Sequence, residues 1–192
     1  MRQILRLAVA ILALQALPGA AAAAPVAYAL QADASTVAFE TDFGRDHITG
    51  SIPLAAADLV IDFDRLATCR IAVTLDVTGA RASFPFAAEA MKSASVLDAR
   101  GHPRMTFTST RVRPEGDGAR VSGSLTLRGV TRPVTLHAEI FRQKGTAAGD
   151  RSRLTVRLTG KVRRSDFGAT GFSDQVGDEV RIIITARIRT AG

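Results

Sequence analysis

Tryptophan is absent from this 192-residue sequence, tyrosine and cysteine occur once each, and histidine three times. Each scarcity excludes something. The lone Cys69 has no partner for an internal disulfide, whatever the redox compartment. Its place in a strand pattern makes it a small packed thiol rather than a nucleophile. His47, His102 and His137 sit on separate segments without chelating spacing, so no metal site is expected. The aromatic side chains are nine Phe and one Tyr, which leaves an aliphatic and phenylalanine interior. A lining of that kind has few polar groups to orient a polar ligand and suits a hydrocarbon.

Long apolar runs are also missing, with one exception at the start. Met1-Arg2-Gln3-Ile4-Leu5-Arg6 leads into the apolar run Leu7 to Leu17 and then the small residues Ala20 to Ala24. Positive, apolar and small segments in that order predict a secretory signal peptide over residues 1–23, too short to span a bilayer. The expected mature protein is one exported, periplasmic domain over residues 24–192. Loss of Arg2 and Arg6 takes its formal charge from +7 to +5. That length suffices for one domain with a real core.

The remainder alternates with a period of two. Leu154, Val156, Leu158, Gly160 and Val162 alternate with polar residues, and so do Val180, Ile182, Ile184, Ala186 and Ile188. This is the signature of strands with one dry and one wet face. The same pattern recurs from Val37 to Phe43, from Arg70 to Val77, from Met105 to Thr110, from Val121 to Leu127 and from Val134 to Ile140. His47 to Phe63, interrupted by Pro53, reads as one bent strand or two short ones. Turns are expected at Pro114–Gly118 and Arg128–Pro133, and a long loop from Arg163 to Glu179. Phe84 to Leu97 is Ala-rich and lacks alternation, which predicts one short helix. About eight antiparallel strands with one apolar face each predict an all-β domain, closed as a barrel or folded as a sandwich.

By strand phase Phe39, Phe43, Val73, Leu75, Phe107, Leu125, Leu136, Val156 and Ile184 face inward. Periodicity does not choose between a filled core and a channel. Phe84, Phe86 and Met91 around the helix, with Phe167 and Phe172 on the long loop, are candidates for a channel mouth, because no strand phase buries them. Arg157, Lys161, Arg163, Arg181, Arg187 and Arg189 share the wet face of the last two strands, a cationic wall able to meet anionic lipid headgroups. Export and the lack of interleaved aromatics point away from nucleic acid. Ser165 has neither a nearby histidine nor a glycine-flanked nucleophile turn, so no catalytic residue is assigned. Arg164, Ser165 and Asp166 read instead as side chains that tie the long loop to its neighbours.

Several of these segments resemble the YceI-like family of exported bacterial proteins. The resemblance lies in Tyr28 to Ser35 with Val37 and Phe39, in Phe43-Gly44 and Gly50, and in Met91-Lys92-Ser93 followed by His102-Pro103 and Phe107-Thr108-Ser109. It continues in Gly123 to Leu136 and ends in Arg164-Ser165-Asp166-Phe167-Gly168 and Val176-Gly177-Asp178-Glu179-Val180. It implies an eight-stranded antiparallel lipocalin-like barrel with one short helix, enclosing a long apolar channel for a polyisoprenoid chain. Val96-Leu97-Asp98 and Ser51-Ile52-Pro53 depart from the family's commoner aromatic residues, at positions expected to line the channel. On this reading the protein is not an enzyme. It carries an isoprenoid lipid or a quinone tail in the periplasm, with the headgroup near Arg164 and Asp166 or the wall of Arg157 and Arg187. No cofactor is implied. The alternative is a ligand-free barrel or sandwich acting as a stress-related interaction module.

Overall fold

The computed structural model describes residues 25–191, so the signal peptide expected over 1–23 lies outside the described residues. The described strands are β1 (Val26–Leu30), β2 (Thr36–Phe43), β3 (Asp46–Ser51), β4 (Leu54–Ile61), β5 (Arg70–Asp76), β6 (Arg81–Ala82), β7 (Arg104–Glu115), β8 (Gly118–Leu127), β9 (Val130–Arg142), β10 (Arg153–Arg163) and β11 (Val176–Thr190). The helix α1 covers Pro85–Lys92, inside the stretch where it was expected.

These strands form the eight staves of one closed antiparallel barrel. β1 and β2 are halves of a single stave, separated by a turn of 3-10 helix at Ala32–Ala34. β3 and β4 are halves of the next, separated at Ile52-Pro53. The ladder survives that break because Ile52 N donates to Val37 O at 3.0 Å and Pro53 O accepts from Asp76 N at 2.8 Å. β5, β7, β8, β9 and β10 follow in order, and β6 flanks β3 through Gly50 and Ala82. Closure falls on β11. One of its edges pairs with β10 from Arg189 to Glu179, while the other pairs with β2 and then β1.

Three expected connections are shorter than the sequence suggested, and the turn expected over Pro114–Gly118 is only Gly116-Asp117, since Pro114 and Glu115 pair with Ala119 and Gly118. β11 already begins at Val176, where it pairs with Phe43 before a bulge to Val180. Buried Thr41 points its hydroxyl at Gly177 O and Glu179 O, 3.2 and 3.0 Å away, and so holds the bulged chain in the sheet. The turn after β8 is only Arg128-Gly129, both at positive φ, which matches the right-handed twist of a tight hairpin. Pro133 therefore lies within β9, on a stretch paired with β8 alone, where its missing donor breaks no second ladder.

The inward phase read from the sequence is the inward phase of the barrel. At the end away from α1, Tyr28, Leu59, Leu154 and Ile188 bury together, with Phe63 packed against them. Tyr28 and Phe63 meet edge to face at 6.0 Å, and the Arg151 guanidinium lies 5.1 Å above the Phe63 ring. Tyr28 Oη donates to Arg151 O at 2.9 Å, and Arg151 pairs with Asp64 at 3.2 Å. These groups stopper that end. Beside them Asp62, itself buried, accepts hydrogen bonds from Asp64 N, Arg65 N, Arg65 Nε and Thr68 Oγ1. Burial opposes its ionisation, but these donors outweigh burial and hold the carboxyl below its usual range. Cys69 exchanges weak hydrogen bonds with the Asp62 main chain, and burial raises its thiol pKa, as a packed thiol requires.

Gly50 and Gly123 sit where no side chain fits. A Cβ on Gly50 would strike the Phe39 ring and Arg81 O, and one on Gly123 would strike the Phe107 ring and Thr108 O. Both rings thus rest on bare backbone. Gly50→Ala is expected to cost about 1–3 kcal/mol by overpacking, read as a lower urea midpoint at unchanged m-value.

Candidate functional site

The inner faces of the staves do not meet across the barrel. They enclose a cavity of 580 Å3 that runs from Leu30, Ile61 and Ile188, next to the stopper, to Phe84, Phe86 and Phe172 at the α1 end. Its lining is almost wholly Val, Leu, Ile, Phe, Met and Ala. The exceptions with polar side chains are Ser35, Thr41, Arg164 and Gln175.

Three of those four commit their polar atoms to the wall. Ser35 Oγ donates to Gln31 O at 2.7 Å and accepts from Arg187 N at 3.0 Å. The Thr41 hydroxyl serves the β11 bulge. Arg164, 7% exposed, donates Nε to Gly177 O, Nη1 to Ala169 O and Gly171 O, and Nη2 to Val176 O, at 2.6–3.0 Å. A guanidinium presents five donors in a fixed fork, so one side chain can gather four carbonyls from a turning chain. What faces the lumen is hydrocarbon. Gln175, exposed at the open end, is the polar side chain left for a ligand.

The open end is held by main-chain bonds to arginines and a carboxylate. Pro85 occupies the first turn of α1, where a missing N–H costs nothing. Beyond the helix, Leu97 N returns to Met91 O at 2.9 Å, and Arg128 Nη1 binds Ala94 O and Val96 O at 2.6 and 3.0 Å. Gly171 N donates to Ser95 O at 2.8 Å, which joins the β10–β11 loop to the α1 segment. Gly44 N donates to Gln175 O at 3.2 Å and brings in the β2–β3 turn. At the foot of the loop, Asp178 accepts from Ser165 N at 2.9 Å and Ser165 Oγ at 2.8 Å. Desolvation opposes ionisation of Asp178, yet the Ser165 donors and the charges of Arg164 and Arg163 prevail and hold its pKa low. The Ser165 hydroxyl thus serves Asp178 and has no histidine partner.

A closed eight-stranded barrel with one apolar lumen and one open end narrows the comparison with known proteins. Residues 28–188 match the YceI-like domain. The chain belongs to the YceI-like family. The Protein YceI of Salmonella arizonae is 39% identical over 95 residues, 50% of this chain and 49% of that one. The chain thus matches about half the length of such curated relatives. Among solved structures, Burkholderia cenocepacia BcnA superposes with a TM-score of 0.74 at 20% identity, covering 83% of this chain and 99% of that one. The Campylobacter jejuni YCEI protein gives 0.58 at 23% identity, covering 73% and 84%. A polyisoprenoid binding domain from Saccharophagus degradans, implicated in plant cell wall breakdown, gives 0.58 at 15% identity, covering 86% and 99%. At these identities the three share the YceI-like fold.

In this YceI-like barrel Phe39, Phe43, Val73, Leu75, Phe107, Leu125, Leu136, Val156 and Ile184 all line the cavity, as do Phe84, Phe86, Met91 and Phe172. Phe167 does not. It is 1% exposed, because the 3-10 turn Arg164–Phe167 folds it into the core beneath the loop. The headgroup candidates scatter. Arg164 reaches the cavity with its donors largely engaged; Asp166 is exposed on an outer groove with Arg132, Lys161 and Arg163. Arg157 and Arg187 are exposed on the outer wall, as the polar phase of their strands dictates. That wall is partly neutralised: Arg181 pairs with Glu40 and Asp42 at 2.8 and 2.6 Å, and Lys161 with Glu179 at 2.9 Å. Ile52, Val96 and Leu97, at positions expected to line the channel, do line the cavity. Ile48 does too; it shares the alternation of Gly50 and Ile52, a signal available in the sequence. Gln175 carried no such signal.

Arg164→Met strips four main-chain acceptors of one donor and is expected to cost at least about 3 kcal/mol; Arg164→Lys recovers little, because an ammonium lacks the fork. The urea midpoint measures both. A carboxyl with a lowered folded pKa stabilises the fold above its unfolded value, near 3.9, and loses that contribution as pH falls through the folded pKa. Between pH 5 and 2 the wild-type thermal midpoint is therefore expected to fall more steeply than that of Asp178→Asn.

Proposed function

We propose that this YceI-like protein binds and carries a long apolar isoprenoid lipid, a polyprenyl chain or a quinone tail, within the periplasm. The observation that carries the reading is the lumen: 580 Å3 of apolar space in which Ser35, Thr41 and Arg164, three of the four polar wall residues, are bonded to the wall itself. That volume falls within the range of about 300–1,000 Å3 typical of small-molecule pockets. Each methylene taken from water into such a space contributes about 0.8 kcal/mol, so affinity grows with chain length and needs no directional contact. A polyisoprenoid bound by a family fold at 15% identity supports the choice of chain. The Arg2 to Ala24 pattern supports the periplasm. The cargo's head stays at the open end, where Gln175 and the loop main chain supply polar atoms, and the protein acts by binding rather than by turnover.

Mass spectrometry of an organic extract of protein purified without detergent is expected to show near-stoichiometric isoprenoid. An empty extract from protein that also refuses offered quinone and polyprenol would sink the reading. Ala186 lines the lumen. Ala186→Trp is expected to occupy part of the lumen, keep the fold and shift bound cargo to shorter chains. Phe107→Glu is expected to abolish binding in protein whose circular dichroism is unchanged, since a carboxylate in the lumen has no partner.

A further inference from the structure

Among the described residues, three phenylalanines carry the apolar lining of the lumen to the outside. Phe84, Phe86 and Phe172 line the cavity and are also 45%, 88% and 48% exposed. Phe84 and Phe86 flank Pro85 at the start of α1, and Phe172 lines the same cavity from the β10–β11 loop, which Gly171 ties to Ser95. Nothing in the described fold covers the rings. Phe172 adds a second observation: its φ is +58°, a left-handed backbone that glycine or asparagine adopts at lower cost than an aromatic residue. The cost is borne on a loop whose carbonyls Arg164 fixes, so the ring is held out in water by a rigid support.

We propose that this rim is a membrane-docking surface: Phe84, Phe86 and Phe172 insert into the interfacial region of a lipid bilayer and set the open end of the barrel against it. An aromatic ring transfers favourably from water to the bilayer interface, and three rings around one opening fix its orientation there. The opposite end also exposes apolar side chains, Val26, Ile140 and Phe141, but none of them lines the cavity, and the Tyr28, Phe63 and Arg151 stopper is tied inward. The occupant follows from continuity. A cargo that is soluble only in hydrocarbon passes between bilayer and lumen along this rim without crossing water. In this respect the inference rests on the carrier reading, although docking itself needs no cargo. Docking through the rim, not through the cationic wall, makes association depend weakly on salt.

The absence of tryptophan gives the test its reporter. Phe86→Trp and Phe172→Trp are each mixed with phosphatidylcholine vesicles containing phosphatidylglycerol, with brominated lipids as depth quenchers. Phe141→Trp, an exposed phenylalanine on β9 near the stoppered end, serves as the control. The rim reporters are expected to shift to the blue and be quenched, in 0.5 M as in 0.05 M salt, while the control does neither. Phe86→Ser is expected to weaken vesicle binding about tenfold, and the pair Phe86→Ser with Phe172→Ser about a hundredfold. Arg187→Gln with Arg189→Gln is expected to leave it unchanged. Rim reporters that stay unshifted, equal quenching of the control, or loss of binding only in the arginine pair would each overturn the proposal. So would a blue shift without vesicles that grows with protein concentration, the mark of a second copy on the rim. Cargo content from the organic extract, measured on the same variants, is independent: docking without cargo defeats the carrier reading alone, and cargo without docking defeats this one alone.

Discussion

Closure at β11 is the constraint on which the rest of this molecule depends. An open sheet of eight strands would leave two edges with unpaired main chain and an apolar face without cover. β11 removes both edges by bonding β10 along one side and β2 then β1 along the other. A strand that changes partners partway needs its neighbour to break, and the 3-10 turn at Ala32–Ala34 is that break. The Pro53 interruption answers it one stave further on, where β3 leaves off and β4 takes up the pairing with β1 and β5. With the edges gone, strand phase alone sorts side chains into lumen and solvent.

Closure also creates a difficulty at the α1 end, where staves stop and the connecting chain must turn over an apolar opening. The solution is two arginines that act on main chain rather than on carboxylates. Arg164 gathers carbonyls from residues 169 to 177, and Arg128 gathers those of Ala94 and Val96. Carbonyls engage both guanidinium groups, and among the described residues neither forms a buried ion pair whose desolvation would have to be offset. Asp178 works from outside, through Ser165.

The strands and their inward residues were legible in the sequence because a period of two assigns each side chain a face, and one face had to be dry. Phe39, Val73, Phe107, Leu136 and Ile184 fell where that logic put them. Loop residues obey no period. Phe167 and Phe172 looked alike from sequence, yet one folds under the 3-10 turn and the other stands in solvent. Asp166 and Arg164 are two residues apart, and only the latter turns inward. Nor does periodicity report what an inward side chain meets. Whether Leu75 touches a neighbour across the barrel or empty space depends on barrel diameter, which is set by strand number and stagger and not by any single residue.

Among the described residues, Tyr28, Phe63 and Arg151 pack over one end of the barrel and make it a blind tube. A blind tube has one way in, so whatever enters leaves in reverse order, and the part that enters last is the part offered to the next acceptor. For the cargo proposed above, with one apolar and one polar end, this would impose tail-first loading and a head that never crosses the lumen. It also sets a ruler: chain beyond the length of the tube hangs outside, so depth at the stopper, and not affinity at the rim, limits how much of a long cargo is kept from water.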